Sequence, residues 1–425
     1  MIQVRRIENP KGVWRSAGNS DNFHVTLMRL PYDDAEDFKP FNSEGAWSAT
    51  IVEGGDDFIT LRSTVEGSGS DNAQQTGVKS IEGAGEHPID FWIDFKGTIA
   101  ENSTPRCAIV RVRYHNYTCE HDIYVRQGYA PITIDGNAES DKNPAWASYN
   151  VYRFDANNAP VYTKSPLEEG SLFRRGNRTA ILASNNDRPG FTFGLGPSGS
   201  FDVLELGATT PSQKTWSQLA PSADDVKSRF ASWSIAGDHE RIATIEDFYT
   251  LESTSIHSNI GKAYGVLYGD GATETQKSVE VAFGYDHNED PTNSKKGMRG
   301  CFVFNINNSH NIFFPIGKSG YGRRKGMTSN GEKVGALRYA QRTDYYNKDG
   351  TGNIQYVPLF YDLFERPGAI YQCRNRLEST NNEVKKSSAF DINYFTMGFE
   401  GFENGASNNN NGSDSDACFI RTVKY

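Results

Sequence analysis

Hydrophobic and polar positions alternate along the first third of the chain. In IDFWIDF, Ile89, Phe91, Ile93 and Phe95 fall on one side of an extended chain, and Asp90, Trp92 and Asp94 on the other. That is the period of a half-buried strand. CAIVRVRY repeats the pattern, with Ala108, Val110 and Val112 opposite Ile109, Arg111 and Arg113. HNYT then turns the chain, and HDIYVRQ returns with Ile123 and Val125 inward, so the two runs predict a hairpin. NFHVTLMRL, WSATIV and FITLRS add strands between turns rich in Gly and Asp. Short strands at this spacing, with no helical period, predict a β-sandwich over residues 1–132.

APITIDGNAESDKNPAW loses the alternation and reads as a linker, residues 133–144. Beyond Trp146, strands (NVYRF, RIATI, KAYGVLYG, GCFVFNI, NIFFPIG, AFDINYF, CFIRTVKY) are mixed with two helical stretches. TIEDFYTLEST has Thr244 three residues before Asp247, the spacing of a capping box, with Phe248 and Leu251 at helical spacing. PLFYDLFERPG has Pro358 placed for a first turn and Pro367-Gly368 placed to stop it. Residues 145–425 therefore read as one α+β domain with few helices and long loops.

Composition narrows the class. The 425 residues include 41 Gly, 25 Phe and 21 Tyr, a turn-rich and aromatic-rich make-up that suits sheets and recognition surfaces. The net charge of −9 argues against a general nucleic-acid binder. No run of 18 apolar residues predicts a membrane span, and the N-terminus lacks the apolar region of a signal peptide. The five cysteines (Cys107, Cys119, Cys301, Cys373, Cys418) form no CxxC.

Candidate chemistry is sparse. FFPIGKSGYGRR carries Gly317-Lys318-Ser319, the end of a phosphate-binding loop, but Ile312 stands where that motif needs its first glycine. The glycines after Ser319 also oppose the required helix. The segment reads instead as a buried strand leaving its sheet through a glycine turn. One of Arg323 and Arg324 is then structural and the other is open to a ligand. No G-x-S-x-G and no HExxH occurs. HNYTCEH gathers His115, Cys119 and His121, soft ligands for zinc or simply a packed hairpin. A Cys107–Cys119 disulfide is disfavoured, because the turn places Cys107 opposite residues near Tyr124. NKDGTGN (Asn347 to Asn353) and NGSDSD (Asn411 to Asp416) offer oxygen ligands to calcium without the EF-hand pattern.

Two sets of residues carry a resemblance. IENPKGVWRSAG and RVRYHNYTCEHDIYVRQGYAPI resemble the ends of immunoglobulin-like modules of Bacteroides-type surface proteins, in the style of BACON domains. ASYNVYRFD, SLFRRG, ERIATIEDFYTL, GMRGCFVFN, IFFPIGKSGYGRR, LESTNN and ACFIRTVKY occur in an order similar to the fibrobacter-type paralogous domain, of the sulfatase-modifying-factor and C-type-lectin-like fold group. Arg241 to Phe248, Phe313 to Arg324, Glu378 to Thr380 and Ile420 to Val423 stand at the matching places, with Thr422 where that family has cysteine. The resemblance implies an exported, non-enzymatic cell-surface adhesion protein, a lipoprotein or the tip of a fimbria or pilus. It would bind a glycan or protein through loops of a C-type-lectin-like α+β domain. The residues placed for contact are Tyr321, Arg323, Arg324, Asp344, Tyr345 and Tyr346, with no cofactor beyond an optional calcium. The alternatives are a structural pilus subunit with no ligand of its own, and an enzyme of the formylglycine-generating type. The latter would need two of Cys301, Cys373 and Cys418 together in an exposed pocket.

Overall fold

The computed structural model describes residues 11–29, 39–40, 42–64, 75–85, 88–168, 170–174, 177–182, 191–192, 196–197, 200–215, 218–219, 235, 239–251, 259–271, 297–315, 346–348, 354–356, 368–377, 386–393, 398–403 and 417–425. These residues are nearly all β. The helix found among them is one of six residues, Ile245–Thr250. The second expected helix, near Pro358, lies outside the described residues.

Two compact units divide the chain, and neither is continuous in sequence. The first comprises Met1–Asn137, Asn259–Phe314 and Tyr345–Tyr361. Its larger sheet runs, edge to edge, Asn311–Pro315, Met298–Asn305, Ile260–Tyr268, Lys11–Arg15, Cys119–Gln127, Arg106–Tyr114, Trp47–Gly54 and Ser80–Gly83. A smaller sheet runs Phe23–Thr26, Asp90–Phe95, Ile59–Ser63 and Thr76–Val78. The alternating residues of the sequence meet between them. Phe91, Ile93 and Phe95 of the smaller sheet join Trp47, Ala49, Ala108, Val110, Val112, Ile123 and Val125 of the larger in one core. The rings of Trp47 and Phe91 lie 6.2 Å apart across it. Burying each such aromatic or branched side chain stabilises the fold by roughly 1.5–3 kcal/mol. The two sheets therefore pack over one shared core.

The strand Lys11–Arg15 decides where the sandwich ends. It lies parallel to Cys119–Gln127, with Val13 beside Val125, and parallel on its other edge to Ile260–Tyr268, with Val13 beside Tyr268. Three strands from beyond residue 258 thus extend a sheet begun by the first 130 residues. The sequence pattern assigned KAYGVLYG, GCFVFNI and NIFFPIG to the domain after residue 145, whereas their backbones complete the first sheet. Side-chain shape favours this junction. A Cβ on Gly12 would fall 2.3 Å from the Phe302 ring, so the missing side chain leaves the place that the ring fills. Gly300 lies likewise beneath Phe313.

Buried polar groups lock the same junction. Arg126 is fully buried. It donates to the carbonyls of Gly128, Asn311 and Ala130 at 3.0, 2.8 and 2.6 Å, with its guanidinium 4.7 Å from the Trp14 ring. Trp14 Nε1 donates to Asn311 Oδ1 at 2.8 Å. A buried charge is tolerated only when hydrogen-bonded, so each of these carbonyls has to be in place. The supposed linker takes part: Thr133 and Ile134 are buried, and His310 Nδ1 lies 2.7 Å from the Thr133 carbonyl oxygen.

The second unit comprises Ala138–Ser258, Pro315–Asp344 and Asp362–Tyr425. One sheet orders Pro160–Tyr162, Ala145–Phe154, Arg421–Lys424 and Glu240–Ile242. A second orders Ser212–Thr215, Ser200–Leu204, Ala180–Leu182, Ser171–Arg174 and Ala417–Cys418, and a third joins Gly368–Leu377, Lys386–Asn393 and Gly398–Glu403. Val151, Phe154, Phe173, Leu182, Leu204, Ile242 and Ile420 form a shared core. The helix begins as its sequence requires. Thr244 accepts from Asp247 N, and the Asp247 carboxylate accepts from Thr244 N, closing the capping box. Asp247 also receives Arg241 in a two-point pair at 3.2 and 2.7 Å, both side chains buried.

Candidate functional site

The residues that the sequence nominates for ligand contact fall mostly outside the described part. Tyr321, Arg323, Arg324, Asp344 and Tyr345 are all outside it, as is NGSDSD. Tyr346 opens the strand Tyr346–Lys348, which pairs antiparallel with Ile354–Tyr356 and sets Tyr346 opposite Tyr356 in register. Asn347 and Lys348 of NKDGTGN thus lie in a strand, and its other residues lie outside the described part. FFPIGKSGYGRR begins as read: Phe313 and Phe314 are buried in the strand Asn311–Pro315, and the rest lies outside the described residues.

The hairpin HNYTCEH is fully described. Arg106–Tyr114 and Cys119–Gln127 pair antiparallel, with Tyr114 opposite Cys119 and Val112 opposite His121. At the tip, His115, Asn116 and Tyr117 take φ values of 53, 54 and 64° in succession. Asparagine tolerates this left-handed region; a bulky residue such as tyrosine is an outlier there. Each such residue costs on the order of 1–3 kcal/mol, so the conformation persists only where the surroundings impose it.

The segment 43–46 imposes it. His115 N donates to Ser43 Oγ and Glu44 N donates to His115 Nδ1, each at 2.8 Å. Asn116 N donates to the Ala46 carbonyl, and Ala46 N donates back to Asn116 Oδ1, each at 3.1 Å. Gly45, at φ 88°, leaves the space that the Asn116 amide occupies. Tyr117, 46% exposed, and the exposed Thr118 and Cys119 are left at the surface.

His115 Nδ1 already accepts from a backbone amide, and His121 is buried with its ring against Tyr114. No group of three His, Cys, Asp or Glu side chains able to hold a metal occurs among the described residues. Cys107 stands opposite Arg126, two residues from the expected Tyr124, and both Cys107 and Cys119 are free. Burial pushes the Cys107 thiol pKa up.

In the second unit, Thr422 is fully buried. Its hydroxyl donates to Glu240 Oε1 at 2.9 Å, and Tyr162 donates to the same oxygen. Burial raises the Glu240 pKa, while the Thr422 hydrogen bond and Lys424 oppose the rise. The cluster ties three strands through one carboxylate and leaves no thiol at this position. Cys301 and Cys373 are buried, without the access that a reactive thiol needs. Arg421, fully buried, donates to Asn150 Oδ1 and the Ala147 carbonyl, each at 2.8 Å, and lies near the Tyr371 ring. Sequence reading missed these polar knots, because their members stand 182 and 271 residues apart.

No helix among the described residues is long and apolar enough to cross a membrane. No protein-family model and no curated relative matches the chain. Among solved structures, a weak likeness is to the sialic acid binding region of a Streptococcus sanguinis SK1 adhesin bound to 3'sLn. The two are 9% identical, over 73% of this chain and 75% of that one, with a TM-score of 0.15, and a likeness of that size carries no argument.

Proposed function

We propose that this is a non-enzymatic binding protein of the cell surface. In this reading it recognises a glycan or protein through loops carried on rigid sheets. An immunoglobulin-like sandwich and a C-type-lectin-like domain are the finer form of the fold reading. The observation that supports recognition by loops is the hairpin Tyr346–Lys348 and Ile354–Tyr356. It sets Tyr346 opposite Tyr356 in register, and Asp344 and Tyr345 directly precede Tyr346 in the sequence. Tyrosines beside amides and a carboxylate suit such contact, because rings stack on apolar faces while polar groups hydrogen-bond. Arg323 or Arg324 and Tyr321 complete the proposed contact set, and calcium is an optional partner of the Asp/Asn loops.

A glycan-array screen of the full chain, with calcium and again with chelator, tests this. The whole chain is required because a cut near residue 140 would divide the eight-stranded sheet. Reproducible binding weakened by Tyr346→Ala supports the reading, and sensitivity to chelator would add calcium to it. Silence in both arms removes the glycan form and leaves protein adhesion or a structural role in a surface fibre.

A further inference from the structure

We propose that the tip of the 106–127 hairpin is a second glycan-contact site. Tyr117 would be the stacking ring, and Glu44 and Thr118 the hydrogen-bonding groups beside it. The inference rests on the glycan form of the proposed function and adds to it a second site, on a different hairpin. Tyr117 is presented at a conformational cost, in a left-handed backbone that a bulky residue seldom adopts, and five hydrogen bonds between 43–46 and 115–116 hold it there. Strain that the surroundings over-determine is characteristic of a ligand clamp rather than of a spacer turn. A pinned tip also loses little conformational freedom on binding, which favours affinity.

The surroundings select the ligand class. A tyrosine that anchors a protein interface sits among other apolar groups that exclude water. Here the residues next to Tyr117 in the chain, Asn116 and Thr118, are exposed and polar, as is Glu44, whose backbone is bonded to the tip, and the Arg113–Glu120 ion pair on the two strands has side chains each 50% exposed. An aromatic face with a rim of hydroxyl, carboxylate and guanidinium groups matches a sugar, which offers an apolar ring face edged by hydroxyls. The Glu44 carboxylate accepts from such hydroxyls, and the Thr118 hydroxyl, which donates to the His115 carbonyl at 2.7 Å, accepts from them as well.

The test uses the full chain and the glycans that score on the array, with affinities measured by calorimetry. Tyr117→Ala is expected to weaken at least one of them about tenfold, the loss that corresponds to about 1.4 kcal/mol. Tyr117→Phe, which keeps the ring, stays within about twofold of the parent. Glu44→Gln leaves the tip backbone unchanged and gives a second reading should Tyr117→Ala fail to fold; it is expected to weaken the same glycans. Unchanged affinity in a folded Tyr117→Ala, alongside a loss with Tyr346→Ala, overturns the tip site and leaves the main reading standing. A parent chain silent on every glycan overturns both.

Discussion

At the scale of single residues, this protein spends its polar groups on holding strands from distant parts of the sequence together. Arg126, Asn311 and Trp14 form one such knot, and Arg421, Asn150 and Tyr371 another. His310 belongs to the first region, and its pKa is lowered by burial, with the Thr133 carbonyl opposing that shift. The folded state therefore binds its proton less readily than the unfolded chain, whose histidine titrates near 6.5. Its contribution is fully present above that value and is lost as pH falls toward the depressed folded value. Urea midpoints should fall from about pH 7.5 to about pH 5. His310→Gln, which keeps an N–H for Thr133 and cannot titrate, should make that fall shallower. An equal slope in both proteins would assign the pH dependence to other groups.

At the scale of elements, the helix Ile245–Thr250 has barely more than one turn and depends on its start. Thr244→Ala removes one half of the capping box and should cost about 1 kcal/mol. Asp247→Ala removes the other half and takes from the Arg241 guanidinium the buried one of its two carboxylates, adding about 1–3 kcal/mol to the loss of the cap. Chemical unfolding followed by circular dichroism will rank the two, and equal losses would mean that the Arg241 pair contributes nothing beyond the cap. Thr244 and Asp247 were legible from RIATIEDF alone because a cap is a local device. The pairing of Arg241 with Asp141, 100 residues away, was not.

At the scale of the molecule, the division into units follows space rather than sequence. A fragment of residues 1–137 would keep the alternating strands but lose one of the two partners of Lys11–Arg15, the acceptor of the Trp14 indole and one acceptor of Arg126. Leaving such groups unmet costs about 1–3 kcal/mol each. The fragment is expected to unfold at a clearly lower denaturant concentration than the first unit within the full chain, and to bind a hydrophobic dye. Coincident unfolding would show that the sandwich is self-sufficient and the added strands accessory.

The alternation in IDFWIDF, CAIVRVRY and HDIYVRQ determined the strands, their buried faces and the hairpin, because a side chain on a pleated backbone has only two sides to choose from. The capping box and the turn at HNYT were legible for the same reason, each being set by neighbours within a few residues. Which strands share a sheet was decided only in three dimensions. Strand order rests on glycines beneath rings, such as Gly12 under Phe302, and on buried donors finding carbonyls hundreds of residues away. The left-handed tip at Tyr117 belongs to this second kind: it is held by 43–46, some 70 positions earlier in the chain. Local period carries no record of such partners, because a hydrogen bond or a close packing contact requires only that two groups meet in space.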